Sequence, residues 1–181
     1  SMGCKIKGGG DNTIVIEGVN SLKETIHSVV MDRIELGTYM IAAAISGGDI
    51  KLTGGNIALL ENFTEKLFEI GIEINQFNDY LRVRRIKDSQ INCTNISTEP
   101  FPGFPTDLQA QMMALLCIAD GVSNIEERIF ENRFMHVPEL IRMGANIEIE
   151  GRKAIISGVS QLRGAPVKAT DLRASVSLVL A

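Results

Sequence analysis

The sequence predicts an α/β fold built from copies of one β-β-α-β-α-β unit, and three observations carry that prediction. Thr-Asp-Leu occurs at Thr106-Asp107-Leu108 and again at Thr170-Asp171-Leu172, 64 positions on, each time opening an apolar helix-like run after a strand-like one; Met31-Asp32-Arg33-Ile34 is a looser third copy. A strand, a Gly-Val-x-x-Leu turn and a further strand-like run recur with Gly18 and Gly158 140 positions apart, and Asp32 and Asp171 stand 139 apart, a consistent offset. The start, Met2-Gly3-Cys4-Lys5-Ile6, reads like the unit's closing segment at Met143-Gly144-Ala145-Asn146-Ile147. Such repetition means one supersecondary unit used several times, each copy unable to bury its apolar face alone. Counted this way, the chain holds a tail, two full units and a head, as a piece of a longer repetitive protein truncated at both ends would.

Taken in order, alternation of apolar and polar residues marks Thr13 to Glu17 as a strand, Gly18 to Lys23 as a turn, and Thr25 to Val30 as a second strand. The same hairpin is expected at Lys153 to Ser157 with Val167 to Thr170, and a less similar one at Tyr80 to Arg84 with Ile91 to Ser97. An Asp stands where each following helix needs an N-cap, ahead of Arg33 to Ile45, Leu108 to Ala119, and Leu172 onward, because a carboxylate accepts from free backbone amides and complements the helix dipole. Ser46-Gly47-Gly48 and Asp120-Gly121 stop the first two. Strands follow at Asp49 to Thr53 and Ser123 to Glu127, then amphipathic helices at Leu59 to Ile70 and Val137 to Met143. Pro138 suits the first turn of the latter, where its missing amide costs nothing. Gly71 and Gly144 end these helices before strands at Ile72 to Gln76 and Asn146 to Glu150. Unit two carries an insertion, Glu99 to Pro105, whose three prolines and glycine make it an irregular loop, either a spacer or a ligand contact.

Composition excludes several functions. At 181 residues, 45% hydrophobic and 22% charged, the chain can build one large or two small cores. A net charge of −4 leaves no diffuse basic field for a nucleic-acid backbone, so no nucleic-acid partner is expected. The longest apolar run, Met112 to Ala119, is too short to cross a bilayer, and no membrane partner is expected. Three cysteines without metal-ligand spacing suggest reduced thiols in a cytoplasmic setting. His27 and His136 have no partners at metal spacing, and Cys117 inside Leu115-Leu116-Cys117-Ile118 reads as a buried inert thiol.

The residues that could carry chemistry cluster by position. Asp107, Arg133, Asp171 and Arg173 all fall at strand exits or helix starts, so repetition can bring acids and planar cations to one face. Arginine suits a carboxylate or phosphate because its fork gives paired charge-assisted hydrogen bonds. An aspartate beside such a cluster can act as a base. For each aspartate alone, N-capping is the commoner explanation, and Phe130-Glu131-Asn132-Arg133-Phe134-Met135-His136 can also be a polar turn flanked by core phenylalanines. Arg33 and Glu35, two apart, cannot pair across a helix face.

Three stretches in order, Phe-Pro-Thr-Asp-Leu-Gln-Ala-Gln (104–111), Phe-Glu-Asn-Arg-Phe-Met-His-Val-Pro-Glu-Leu (130–140) and Ala-Thr-Asp-Leu-Arg-Ala-Ser (169–175), closely resemble the UDP-N-acetylglucosamine 1-carboxyvinyltransferase branch of the enolpyruvyl transferase family. The likeness runs through nearly the whole chain. It implies inside-out α/β barrels of three such units each, helices at the core, with a cleft between two domains. Residues 1–30 would close the first domain and 31–181 form most of the second, its third repeat incomplete, with the N-terminal domain as missing partner. The implied reaction moves the enolpyruvyl group of phosphoenolpyruvate to the 3′-hydroxyl of UDP-N-acetylglucosamine, the first committed step of peptidoglycan synthesis, without metal or organic cofactor. Carried over by motif, Asp107 resembles the base for that hydroxyl, Asp171 the acid beside the reacting carbon, Arg133 and Arg173 the binders of the phosphoenolpyruvate anion, and Ile129 and Phe130 the contacts to the nucleotide sugar. The family's mobile loop of the type Pro-Cys-x-x-Gly-x-Arg, its N-terminal Lys-Asn pair and the arginine expected beyond the third unit's head have no match, so the chain alone is expected to be inactive. The alternatives are an enzyme similar to 3-phosphoshikimate 1-carboxyvinyltransferase, which shares the fold and the phosphoenolpyruvate step, and a noncatalytic binding module of the same units.

Overall fold

The computed structural model describes residues 2–86, 89–169 and 172–181. The chain falls into two compact units, 1–30 and 31–181. In the first, β1 (Lys5–Lys7) and β2 (Val15–Glu17) pair antiparallel, with Lys5 opposite Glu17 and Ile6 opposite Ile16. The second strand expected at Thr25 to Val30 does not form; that stretch has no regular structure and leaves Ile26, Val29 and Val30 exposed. β-propensity reports fit to a pleated surface with neighbours, and β2 is paired with β1 instead.

The second unit opens with α1 (Arg33–Ser46). Asp32 caps it as expected, its carboxylate accepting from the backbone N–H of Ile34 at 2.7 Å and of Glu35 at 3.3 Å. Gly47, at φ 68°, closes the helix in the left-handed conformation that its missing Cβ permits. β3 (Asp49–Thr53), α2 (Glu61–Glu69), β4 (Glu73–Gln76) and β5 (Tyr80–Arg84) follow, the three strands making one antiparallel sheet in the order β3-β5-β4. Next come β6 (Asn95–Ser97), a 3-10 turn at Thr106–Leu108, α3 (Gln109–Leu116), β7 (Val122–Glu126), α4 (Val137–Arg142), β8 (Asn146–Glu150) and β9 (Lys153–Ser157). Their strands form a second sheet, β6-β7-β9-β8, in which β6 and β7 are parallel and the other pairs antiparallel. α5 (Leu172–Leu180) ends the unit.

The element order β-β-α-β-α-β is present from β5 to β8, but the strand pairing differs from the sequence reading. Tyr80–Arg84 does not pair with the strand after it. β5 pairs with β4 across the two-residue turn Asn78-Asp79, β9 pairs with β8 across Gly151-Arg152, and β6 lies in the other sheet beside β7. A two-residue connection delivers an antiparallel partner at once, whereas the longer link from β5 to β6 lets the chain cross to a new sheet. Likewise residues 161–169 form no strand against β9, and Thr170 lies outside the described residues.

In the second unit β5, β7 and β9 bury alternate residues, and α1 packs on β3 and β5 while α3 packs on β7. α3 is buried at every position from Gln109 to Leu116 and packs against both α1 and α5. A helix covered all round belongs in an interior rather than on a surface. Its polar Gln111 donates to Thr38 Oγ1 on α1 at 3.2 Å. Gly37 of α1 leaves room here, since a Cβ would press into the Leu108 side chain beside Asp107 and force it to shift. The enclosed α3, covered by α1 and α5, fits the helix-cored arrangement that the sequence resemblance implied.

The cysteines separate by burial. Cys93 is exposed, while Cys117 is fully enclosed and burial pushes its thiol up to about 12. A maleimide at neutral pH is expected to label Cys93 in the folded chain and Cys117 only after denaturant is added, read by mass spectrometry of the two peptides. Equal labelling rates at both would contradict the packing around α3.

Candidate active site

Asp107 is the middle residue of the 3-10 turn that precedes α3, and it does not cap that helix as expected from sequence. Its carboxylate turns to two arginines instead: Arg133 Nη2 donates to Oδ1 at 2.7 Å, and Arg173 Nη2 stands 3.6 Å from Oδ2. Charge-assisted bonds from guanidinium groups are stronger than bonds from neutral amides, which is why the ion pairs win the carboxylate. Arg133 comes from the loop between β7 and α4, where Asn132 takes the left-handed conformation at φ 55°, and its guanidinium lies over the Phe130 ring, 4.9 Å from the centroid. Stacking on one side and the Asp107 bond on the other hold a planar cation that is only 19% exposed. Arg173 is supplied by the first turn of α5.

Asp107, Arg133, Arg173 and Phe130 are therefore brought together from segments up to 66 positions apart. Ile129 and Asp107 line a concavity of about 190 Å³ together with Thr106, Phe101 and Arg33, while Phe130 and Arg133 line a second one of about 260 Å³. The insertion loop reaches the first concavity: its Phe101 ring lies under the Arg33 guanidinium at 5.0 Å, and both line the wall with Asp107. Asp171 lies outside the described residues. Among the described residues, no three His, Cys, Asp or Glu side chains gather as a metal set.

Other charges brace the rim. Arg128 bridges Glu126 at 2.7 Å and Glu99 at 3.3 Å, and its hydrogen bond holds the Glu126 carboxyl below the usual range. Arg152 reaches Glu131 at 3.1 Å.

One residue at the site was not singled out from sequence. Glu127 is 1% exposed, and its carboxylate receives bonds from Thr98, Thr106 and the backbone of Ile129 and Phe130. A signal was present: Ser123, Ile125 and Glu127 share the inward face of an alternating run, and an acid at an inward position needs a reason.

The fold is an α/β arrangement of sheets and helices in which one carboxylate stands between two guanidinium groups. The sequence profile of EPSP synthase (3-phosphoshikimate 1-carboxyvinyltransferase) matches residues 1–181, and the chain belongs to that family. Within it, the chain is 60% identical over 180 residues to a Paracoccus denitrificans (strain Pd 1222) protein named UDP-N-acetylglucosamine 1-carboxyvinyltransferase, covering 99% of this chain and 42% of that one. A Cereibacter sphaeroides (strain KD131) protein of the same name is 62% identical over 180 residues with the same coverage. The chain thus spans about two fifths of the length of the curated relatives it matches. In fold it superposes on the enolpyruvyl transferase NikO from Streptomyces tendae with a TM-score of 0.86 at 24% identity, over 99% of this chain and 43% of that one.

Proposed function

We propose that this chain is the segment of a UDP-N-acetylglucosamine 1-carboxyvinyltransferase that carries the proton-accepting carboxylate and the anion-binding arginines. The observation that carries the reading is Asp107 held between Arg133 and Arg173 on the wall of a concavity that also presents Ile129. The names of the relatives at 60% and 62% identity support the sugar-nucleotide substrate over shikimate 3-phosphate. In this reading, residues 1–30 close one domain and 31–181 form most of a second, with the cleft facing a domain supplied by the rest of the transferase.

The chemistry follows from charge. The carboxylate and phosphate of phosphoenolpyruvate are planar or multidentate anions, and Arg133 and Arg173 offer guanidinium forks to them. As the anion takes over those donors, the Asp107 oxygens are released to accept the proton of the sugar 3′-hydroxyl. That oxygen bonds to the phosphoenolpyruvate C2 while C3 gains a proton, in which Asp171 is the acid. Loss of phosphate from C2 and of a proton from C3 then leaves the enolpyruvyl ether. Positioning and complementary charge supply the rate, without metal or organic cofactor. The product feeds peptidoglycan synthesis, hence cell-wall growth, cell shape and division, in the cytoplasm; among the described residues no helix is long and apolar enough to cross a membrane.

Isothermal titration tests this. The purified 181-residue chain is expected to bind UDP-N-acetylglucosamine weakly, to ignore shikimate 3-phosphate, and to release no phosphate from a mixture of the sugar nucleotide and phosphoenolpyruvate, because the loop and domain that complete the cleft are outside this sequence. Preference for shikimate 3-phosphate would move the reading to the other branch, binding of neither to a noncatalytic module, and phosphate release would refute the need for a second domain.

A further inference from the structure

We infer that Glu127 is a positioning residue of the candidate active site: its buried carboxylate ties the loop that carries Ile129, Phe130 and Arg133 to the turn that carries Asp107. The inference rests on the proposed reading of those residues as the substrate-binding set.

Glu127 directly follows β7, and its own N–H donates to the Arg152 carbonyl at 2.9 Å, which fixes its backbone to the β8–β9 turn. Its Oε1 accepts from Thr98 Oγ1 at 2.8 Å, from the Ile129 N–H at 2.9 Å and from the Phe130 N–H at 3.1 Å. Its Oε2 accepts from Thr106 Oγ1 at 2.8 Å, one residue from Asp107. Thr98 Oγ1 in turn accepts from the Arg128 N–H at 2.9 Å, so the same network holds the residue before Ile129. One carboxylate thereby gathers three separate stretches of chain: the end of β6, the 3-10 turn, and the start of the 129–133 loop.

Stability alone does not explain this choice of residue. The ion pairs among the described residues include none to Glu127, so a buried charge is held by neutral donors only. Enclosing a carboxylate this way costs desolvation that apolar packing of the same volume would avoid. What the charge supplies is direction, since two hydroxyls and two backbone N–H groups converge on it in only one arrangement. Because two of the four donors belong to Ile129 and Phe130, and Phe130 is the ring under Arg133, that arrangement sets where the guanidinium meets Asp107.

The test compares the wild-type chain with Glu127→Ala, Glu127→Gln and Thr106→Val by amide hydrogen exchange and by heteronuclear NMR titration with UDP-N-acetylglucosamine plus phosphoenolpyruvate. Glu127→Ala is expected to speed exchange at the Ile129 and Phe130 amides at least tenfold and to weaken binding at least tenfold, with Glu127→Gln, which keeps shape but loses charge, in between. Thr106→Val, which cuts the Oε2 link alone, is expected to weaken binding about threefold while exchange at Ile129 and Phe130 stays as in wild type. Ile74→Val, a core change on β4 in the other sheet, is the control: it lowers the unfolding midpoint and leaves affinity and those two amides unchanged. If the Glu127 variants behave like Ile74→Val, the inference is overturned. Should Glu127→Ala not fold, Glu127→Gln and Thr106→Val decide, and unchanged affinity in both overturns it. If the wild-type chain binds neither ligand, the proposed function is what fails; unchanged exchange at Ile129 and Phe130 in Glu127→Gln would then still overturn the inference, and faster exchange would support it.

Discussion

Under the proposed function, replacing Asp107 by asparagine is expected to lower kcat of the full-length transferase by roughly 10²- to 10⁴-fold, the range that a positioned general base contributes. Asparagine keeps the shape of the side chain but offers an amide in place of a carboxylate, so the proton acceptor proposed for the 3′-hydroxyl is lost. The same change removes the counter-charge that Arg133 and Arg173 share at 2.7 Å and 3.6 Å. Two guanidinium groups without their carboxylate are better hosts for an anion, so the Kd for phosphoenolpyruvate is expected to fall or hold while turnover collapses. This split separates a base from a mere fastener. Loss of phosphoenolpyruvate binding with kcat nearly intact would make Asp107 a structural clasp and end its assignment as the base. Titrating the chain itself with phosphoenolpyruvate, wild type against Asp107→Asn, measures the binding half without any turnover.

Phe63→Ala is expected to be the most damaging single truncation in the fold, at about 3–5 kcal/mol. Phe63 is fully enclosed on α2, and its ring meets Phe104 at a centroid distance of 5.6 Å and a tilt of 53°. The loss removes the apolar transfer of a whole ring and leaves a cavity, and the tilted ring pair adds its own share. Against a total stability of about 5–15 kcal/mol for an ordinary domain, that is a large fraction. The consequence reaches the site, because Phe104 leads directly through Pro105 and Thr106 to Asp107. Urea unfolding followed by circular dichroism would give the difference. A cost below about 1 kcal/mol would show that the ring does not pack as described.

Much of this architecture could be read from the chain. Asp32 announced its helix because N-capping is local: the carboxylate and the amides of Ile34 and Glu35 lie within three residues. Gly47, Gly71 and Gly144 marked stops for the same reason. The strand partners were misread where local pattern had to stand in for pairing. Tyr80–Arg84 alternates equally well whether its neighbour is β4 or β6, and the decisive feature was the two-residue turn Asn78-Asp79, which the reading passed over in favour of the repeat. Thr25 to Val30 had strand composition without a strand to pair with.

The site divided along the same line. The chain by itself determined which family it belongs to and which side chains are available, since Asp107, Arg133, Arg173, Ile129 and Phe130 stand in long motifs of fixed order. Only the tertiary structure decided what each touches. It turned Asp107 from a helix cap into the partner of two arginines, because charged donors from 26 and 66 positions away outcompete the amides next door. It made Glu127 the anchor of the loop, because a buried carboxylate must find donors and these come from three stretches no local pattern connects. Spacing along a chain records period and turn; the competition among distant partners for one buried charge is settled only when the sheets and helices have closed around it.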